Sequence, residues 1–233
     1  ERENLSKKNL NGRNDFLFFG RLIKEKGIND YIKAAKIIKK KFPEKNFFIA
    51  GPINQSIIGQ SKFDLATLDL INSNRKYIKY LGFKKDYKKI FLEMDCLITP
   101  SFSEGAGTSV MEAMMSGLYI IAYNNPGHNY VLKDTKNQIC KKNNVTYLVK
   151  SIENFINLKN NEINYVRKNS YKKVIDNFSA DKISIKFNKI LNLIYKINKQ
   201  KVDVVWPYYK DEKFLDTSIE HLNKQTLHVK TWR

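Results

Sequence analysis

Two glutamates, Glu104 and Glu112, stand eight positions apart in the stretch PSFSEGAGTSVMEAMMSG, residues 100–117. Between them lies a glycine turn, Gly105-Ala106-Gly107, and then Thr108, where the pattern predicts a helix over 108–116. Just upstream, the apolar run Cys96-Leu97-Ile98 reads as a buried strand. A strand, a glycine turn and a helix in that order leave backbone N–H groups unpaired at the helix start, where an anion can bind. A carboxylate in the same turn is suited instead to accepting hydrogen bonds from hydroxyls, as on a sugar. Phosphate and polyol handled side by side imply a nucleotide-sugar site.

A second constellation, GRLIKEKG at residues 20–27, follows an apolar run at 15–19. Arg21 and Lys26 are the cations best placed to reach the same crevice. A guanidinium and an ammonium there can hold a diphosphate and neutralise its charge as it leaves. Each feature also has a plainer reading. Arg21 and Lys26 are two of 42 Lys and Arg residues, and Glu112 can be an ordinary helix glutamate. Gly105 and Gly107 can form a tight turn and nothing more, or allow a phosphate or sugar to approach the backbone.

The elements that must position these residues alternate. Strands are expected at 15–19, 46–50, 77–81, 96–98 and 118–122, with a short edge strand at Ile139-Cys140. Helices are expected at 30–42 (N-capped by Asn29, with Tyr31, Ala34, Ala35, Ile37 and Ile38 toward the sheet), near 64–71, at 87–94 and at 108–116. Pro126-Gly127 reads as a turn. Three further helices are expected at 145–158, 162–177 and 179–199. Alternation through the first 150 residues implies a doubly wound parallel sheet. Ligands in such sheets collect beyond the carboxyl ends of the strands, where Gly20-Arg21, Gly51-Pro52, Gly82-Phe83 and the 101–107 turn should converge.

Composition sets bounds. The chain has 233 residues with 42% hydrophobic, 14 Phe and 13 Tyr, enough for a real core. No apolar run approaches the ~20 residues of a membrane span, and the polar start shows no signal peptide. The chain does not open on Met, which is compatible with a processed or excised piece. The two cysteines, Cys96 and Cys140, and three histidines show no metal-ligand spacing, so no metal site and no cofactor is expected. Cys96 is expected to be a core thiol and the setting cytoplasmic. The net charge of +19 fits a solvated lysine-rich surface, an anionic membrane or phospholipid-linked substrate, or nucleic acid; the last is disfavoured because no recognition motif accompanies the lysines.

The paired motifs Gly-Arg-Leu-x-x-x-Lys-Gly and Glu-Gly-x-Gly-x-x-x-x-Glu-Ala-Met-x-x-Gly resemble the donor-binding domain of retaining GT-B glycosyltransferases of family 4. The similarity covers residues 15–195. Segment 31–43 and the Pro126-Gly127 turn look most like the bacterial polysaccharide and glycan-assembly branch, which often uses UDP-N-acetylhexosamine donors. The resemblance implies an α/β, doubly wound, Rossmann-like half of a GT-B enzyme with C-terminal helices. It implies that Arg21 and Lys26 bind the donor diphosphate, that Glu104 contacts sugar hydroxyls, and that these three serve catalysis. Gly20 and the segment Gly105, Ala106, Gly107 and Thr108 would meet sugar and phosphate, Glu112 would hold the ribose, and Phe83 would border the base. Transfer would proceed with retention and without metal. Two departures stand out: His128-Asn129-Tyr130 replaces the Cys-Arg-Glu common in relatives, and Ala106 replaces a bulky residue.

The resemblance further implies a linker at 1–14, a donor domain at 15–178, and a helix at 179–200 that crosses toward an absent N-terminal domain. That domain would supply the glycan or polyprenyl-linked acceptor site, so this chain alone should bind a donor and transfer poorly. Residues 201–233, including VDVVWPYYKDEKFLDTSIEHLNKQT at 202–226, resemble the opening strand and helix of family 2 GT-A glycosyltransferases. The alternatives for the whole are a non-catalytic sugar-nucleotide-binding scaffold and a basic nucleic-acid-binding domain; a GT-B sugar-nucleotide epimerase is a close enzymatic neighbour, but no residue pair supports its elimination chemistry. Peripheral contact with the inner face of a membrane is an expectation of the first reading.

Overall fold

The computed structural model describes residues 14–52, 62–84, 86–105 and 107–198. Ala106, most of the expected 1–14 linker and the whole 201–233 extension lie outside the described residues. The chain divides into two compact units, Glu1–Phe178 and Ser179–Arg233.

The first unit holds a six-stranded parallel sheet in the order β3-β2-β1-β4-β5-β6. Its strands are β1 (Asp15–Phe19), β2 (Asn46–Ala50), β3 (Lys79–Tyr80), β4 (Cys96–Thr99), β5 (Tyr119–Tyr123) and β6 (Gln138–Cys140). The helices are α1 (Ile28–Lys41), α2 (Lys62–Asn72), α3 (Tyr87–Glu93), α4 (Thr108–Met115), α5 (Pro126–Leu132), α6 (Val145–Asn157) and α7 (Asn160–Phe178). A 3₁₀ turn, Lys24–Lys26, precedes α1. The second unit contributes α8 (Ala180–Asn198).

The two-residue period of the strands sorts their side chains into two cores. Phe16, Phe18, Cys96, Ile98, Tyr119, Ile121 and Tyr123 face α1 and α6, meeting Tyr31, Ala35, Ile38, Leu148, Ile152 and Phe155. Leu17, Leu97, Ile120 and Ala122 face the opposite way, onto Ile90 and Phe91 of α3, Val110, Ala113 and Met114 of α4, and Val131 of α5. Each large apolar side chain so enclosed contributes roughly 1.5–3 kcal/mol of transfer free energy. Helix α7 joins the layers, since Ile163 and Val166 belong to the first core and Val174 and Phe178 to the second. Tyr31 is fully buried, and its hydroxyl lies 2.9 Å from the Phe16 carbonyl and 2.8 Å from that of Phe48. That contact ties α1 to β1 and β2.

Several local expectations are corrected. Helix α1 starts at Ile28, with Gly27 in the left-handed region at its N-cap, rather than at an Asn29 cap. Ile37, expected against the sheet, is 48% exposed. The ladder of β3 is confined to Lys79–Tyr80. Pro126-Gly127 opens a helix instead of making a turn: the Asn125 side chain accepts from the His128 N–H, and Pro126 occupies the first helical position, where its missing N–H has no partner to lose.

Candidate functional site

Strand order reverses between β1 and β4, which pair directly. The carboxyl ends of strands on either side of such a reversal diverge and leave a crevice. The two loops flanking it are the segment after β1, which carries Arg21 and Lys26, and the segment after β4, which carries Glu104 to Gly107.

These loops are joined in the structure. The Phe102 N–H donates to the Glu25 carbonyl at 2.9 Å, and the Ser101 hydroxyl lies 3.4 Å from the same oxygen. Gly27 is needed at this seam, because a Cβ there would fall 2.0 Å from the Pro100 carbonyl oxygen and its φ is +76°. Above the seam, Lys26 Nζ donates to Glu104 Oε1 at 2.6 Å. The pair is only partly solvated, with side chains 23% and 16% exposed, so solvent screens it less than a surface ion pair.

The third wall is the β5–α5 corner. Asn125 Nδ2 donates to the Ser101 carbonyl at 2.9 Å. Gly127 packs so closely that a Cβ would lie 2.2 Å from the Gly105 carbonyl oxygen and 2.3 Å from that of Glu104. His128, fully buried, has Nδ1 at 2.8 Å from the Tyr123 carbonyl and Nε2 at 3.5 Å from the Thr99 hydroxyl. Nδ1 also lies 2.9 Å from Asn125 Nδ2, so a carbonyl that accepts and an amide that donates both face it. Burial lowers the His128 pKa from its ordinary value, against the Tyr123 carbonyl and the Glu104 charge, which raise it; Lys26 lowers it further. At the same corner the Tyr123 hydroxyl donates to Asp30 Oδ2 at 2.8 Å, and its ring stacks on Phe102. Burial and the Asp30 carboxylate push that phenol far above its ordinary pKa, so it remains a donor.

The glycine turn delivers the chain into α4. Gly107 is its N-cap in the left-handed region, with no capping side chain and no acidic residue in the first turn. That leaves an uncompensated positive helix end at the crevice. Thr108, the first helical residue, is exposed. One turn further on, Glu112 Oε1 accepts from the Tyr87 hydroxyl at 2.8 Å.

Of the residues singled out in the sequence, Lys26 and Glu104 are therefore in contact. Gly105, Gly107 and Thr108 lie on the loop and helix start beside them, and Glu112 follows on the same helix. Gly20 follows β1, and its N–H donates to the Ala50 carbonyl at 3.1 Å. Arg21 is exposed, and its side chain makes no ion pair among the described residues. Phe83 is 63% exposed on the β3–α3 connection. Among the described residues, no hydrogen bond or ion pair links Arg21 or Phe83 to Lys26 or Glu104. Among the described residues, no group of three or more His, Cys, Asp or Glu could hold a metal ion, and no helix is long and apolar enough to cross a membrane.

Residues 1–173 match the family model described as glycosyl transferases group 1. The chain belongs to this family.

This glycosyltransferase domain is 28% identical over 123 residues to the N,N'-diacetylbacillosaminyl-diphospho-undecaprenol alpha-1,3-N-acetylgalactosaminyltransferase of Campylobacter jejuni, covering 52% of this chain and 30% of the relative. Its fold matches the C-terminal domain of a group 1 family protein, LpcC, from Francisella tularensis, with TM-score 0.59 and 21% identity over 76% of this chain and 92% of the other. It also matches HepE of Anabaena, solved with UDP and glucose, with TM-score 0.64 and 18% identity over 82% and 52% of the two chains. The chain spans 22–39% of the length of the curated relatives it matches. The doubly wound α/β sheet thus matches the Rossmann-like fold found in GT-B glycosyltransferases.

The sequence does not mark Tyr87, Asn125 or Asp30 as site residues, and it marks His128 only as a departure from relatives. Their partners lie 25, 24 and 93 positions away for Tyr87, Asn125 and Asp30, beyond any local pattern. Asn125 alone carried a legible signal, since Asn followed by Pro is a helix-start pair.

Proposed function

We propose that this domain binds a nucleoside-diphosphate sugar, UDP-linked, and presents its anomeric carbon for transfer with retention to a glycan or polyprenyl-linked acceptor. The observation that carries the reading is the Lys26–Glu104 ion pair across the strand-order reversal. An ammonium and a carboxylate side by side in one partly solvated crevice suit a diphosphate and sugar hydroxyls. Arg21, exposed on the same loop as Lys26, supplies a second cation. The bare N-terminus of α4 stabilises charge that develops on the leaving diphosphate. Glu112 receives the ribose hydroxyls, and Phe83 offers its exposed ring to the base.

Support for the donor class comes from neighbours. HepE was solved with UDP and glucose, and the pneumococcal transferase GtfA with UDP and GlcNAc. The Campylobacter relative is named for an undecaprenol-linked acceptor and an N-acetylhexosamine. Contact with an anionic membrane surface fits the +19 charge and such an acceptor. Titration calorimetry of the 233-residue chain with UDP-GlcNAc, UDP-GalNAc and UDP-glucose tests the reading. Saturable heat with at least one of them, lost in Arg21→Ala or Glu112→Ala, is expected. A folded chain that gives no heat with any nucleotide sugar overturns it.

A further inference from the structure

We propose that Tyr87 is a positioning residue of the nucleotide site, holding the Glu112 carboxylate in the one orientation that receives a ribose diol. The proposal rests on the reading of Glu112 as the ribose acceptor, and adds a residue that neither the motifs nor the comparisons assign.

The Tyr87 hydroxyl donates to Glu112 Oε1 at 2.8 Å, linking the start of α3 to the second turn of α4. Tyr87 cannot easily leave, because its ring packs on Phe19 at 5.5 Å and on Phe91 at 5.6 Å between centroids. Phe19 and Phe91 in turn pack edge-on at 4.9 Å. Phe19 is the last residue of β1, so this aromatic trio anchors Tyr87 at the carboxyl rim of the sheet, beside the loop that carries Arg21 and Lys26. Both Tyr87 and Glu112 are half-buried, accessible from the crevice yet constrained.

A carboxylate offers two oxygens with about four lone-pair directions. Tyr87 occupies Oε1. Among the described residues, Oε2 of Glu112 has no partner. A glutamate on an otherwise open helix face samples several rotamers, and a ligand must then bear the cost of freezing them. Tyr87 freezes them beforehand and leaves one acceptor oxygen for the two vicinal hydroxyls. The hydrogen bond to Glu112 raises the Tyr87 pKa, which keeps the phenol a donor through the neutral range. A purely structural tie between α3 and α4 would use the same contact, so the test must read the ligand's hydroxyls.

Tyr87→Phe preserves the aromatic packing and removes only the donor. The test measures binding of UDP and of 2',3'-dideoxy-UDP by calorimetry to the wild-type 233-residue chain and to the variant. The expected result is UDP bound roughly tenfold more weakly by the variant, the scale of one hydrogen bond to a charged group, with the dideoxy nucleotide bound equally by both. Equal UDP affinity in the two proteins overturns the proposal. An equal loss for both nucleotides also overturns it, because the effect would not pass through the ribose. If the wild type binds neither nucleotide, the reading of the site itself fails and this proposal falls with it.

Discussion

Lys26 Nζ and Glu104 Oε1 lie 2.6 Å apart although 78 positions separate them in sequence. The contact exists because β1 and β4 are neighbours at the strand-order reversal. Each partner holds the other in the crevice, and the proposed function gives each a distinct task toward a donor. Lys26→Met keeps the aliphatic stem and removes the charge. Loss of a charge-assisted hydrogen bond of about 1.5–3 kcal/mol should weaken UDP binding roughly 10- to 150-fold. Glu104→Gln should weaken a UDP-sugar more than it weakens UDP. Calorimetry with both ligands checks the pair, and unchanged UDP affinity in Lys26→Met contradicts the assignment.

The β5–α5 corner backs the glycine turn through the main chain at Gly127. At Gly127 a Cβ would lie 2.2 Å from the Gly105 carbonyl oxygen, and that oxygen is main chain, which cannot rotate aside. Gly127→Ala should therefore cost about 2–3 kcal/mol, lowering Tm by roughly 5–10 °C in a chain of this size. It should also displace the turn that presents Glu104. A thermal melt within 1–2 °C of wild type, to the precision expected for about half a kcal/mol, would show that the corner yields without strain.

His128 gives the site a pH signature. Burial lowers its pKa from the ordinary 6.5, so the unfolded chain takes up the proton first as pH falls. The stability that neutral His128 contributes is full above the unfolded value and is lost as pH drops through the lower folded value. Urea unfolding at neutral pH and at successive points below 6.5 should show the wild type losing more stability than His128→Asn. Parallel pH profiles for the two proteins would mean that His128 titrates alike folded and unfolded.

Phe83 offers the opposite pattern. Its ring is 63% exposed, so truncation removes little packing. Base–aromatic stacking is worth about 1–3 kcal/mol per base. Phe83→Ala should reduce nucleotide affinity roughly 5- to 150-fold by that scale while leaving the melting temperature unchanged. A drop in stability with no change in affinity would assign Phe83 to the fold instead.

Much of the architecture was legible because strands and helices carry their own periods. The runs at 15–19 and 46–50 match β1 and β2 as observed, and the glycine turn and its helix stand where the motif puts them. What the sequence did not show depends on tertiary neighbours. Asn29 is a good cap by type, but Gly27 takes that place because its left-handed φ and lack of a Cβ let Pro100 approach. Ile37 fits the apolar pattern of α1 yet points outward. The Tyr87–Glu112 and Tyr123–Asp30 contacts join residues from separate elements, and neither partner announces the other. The residue types of the site were readable; the pairing that orients them was not.

The most direct measurement is a crystal structure of the 233-residue chain with a UDP-sugar. Density for the pyrophosphate between Arg21, Lys26 and the N-terminus of α4, with the ribose on Glu112 and the hexose beside Glu104, is the result predicted. A nucleotide lodged elsewhere on the domain, with that crevice empty, would contradict the account.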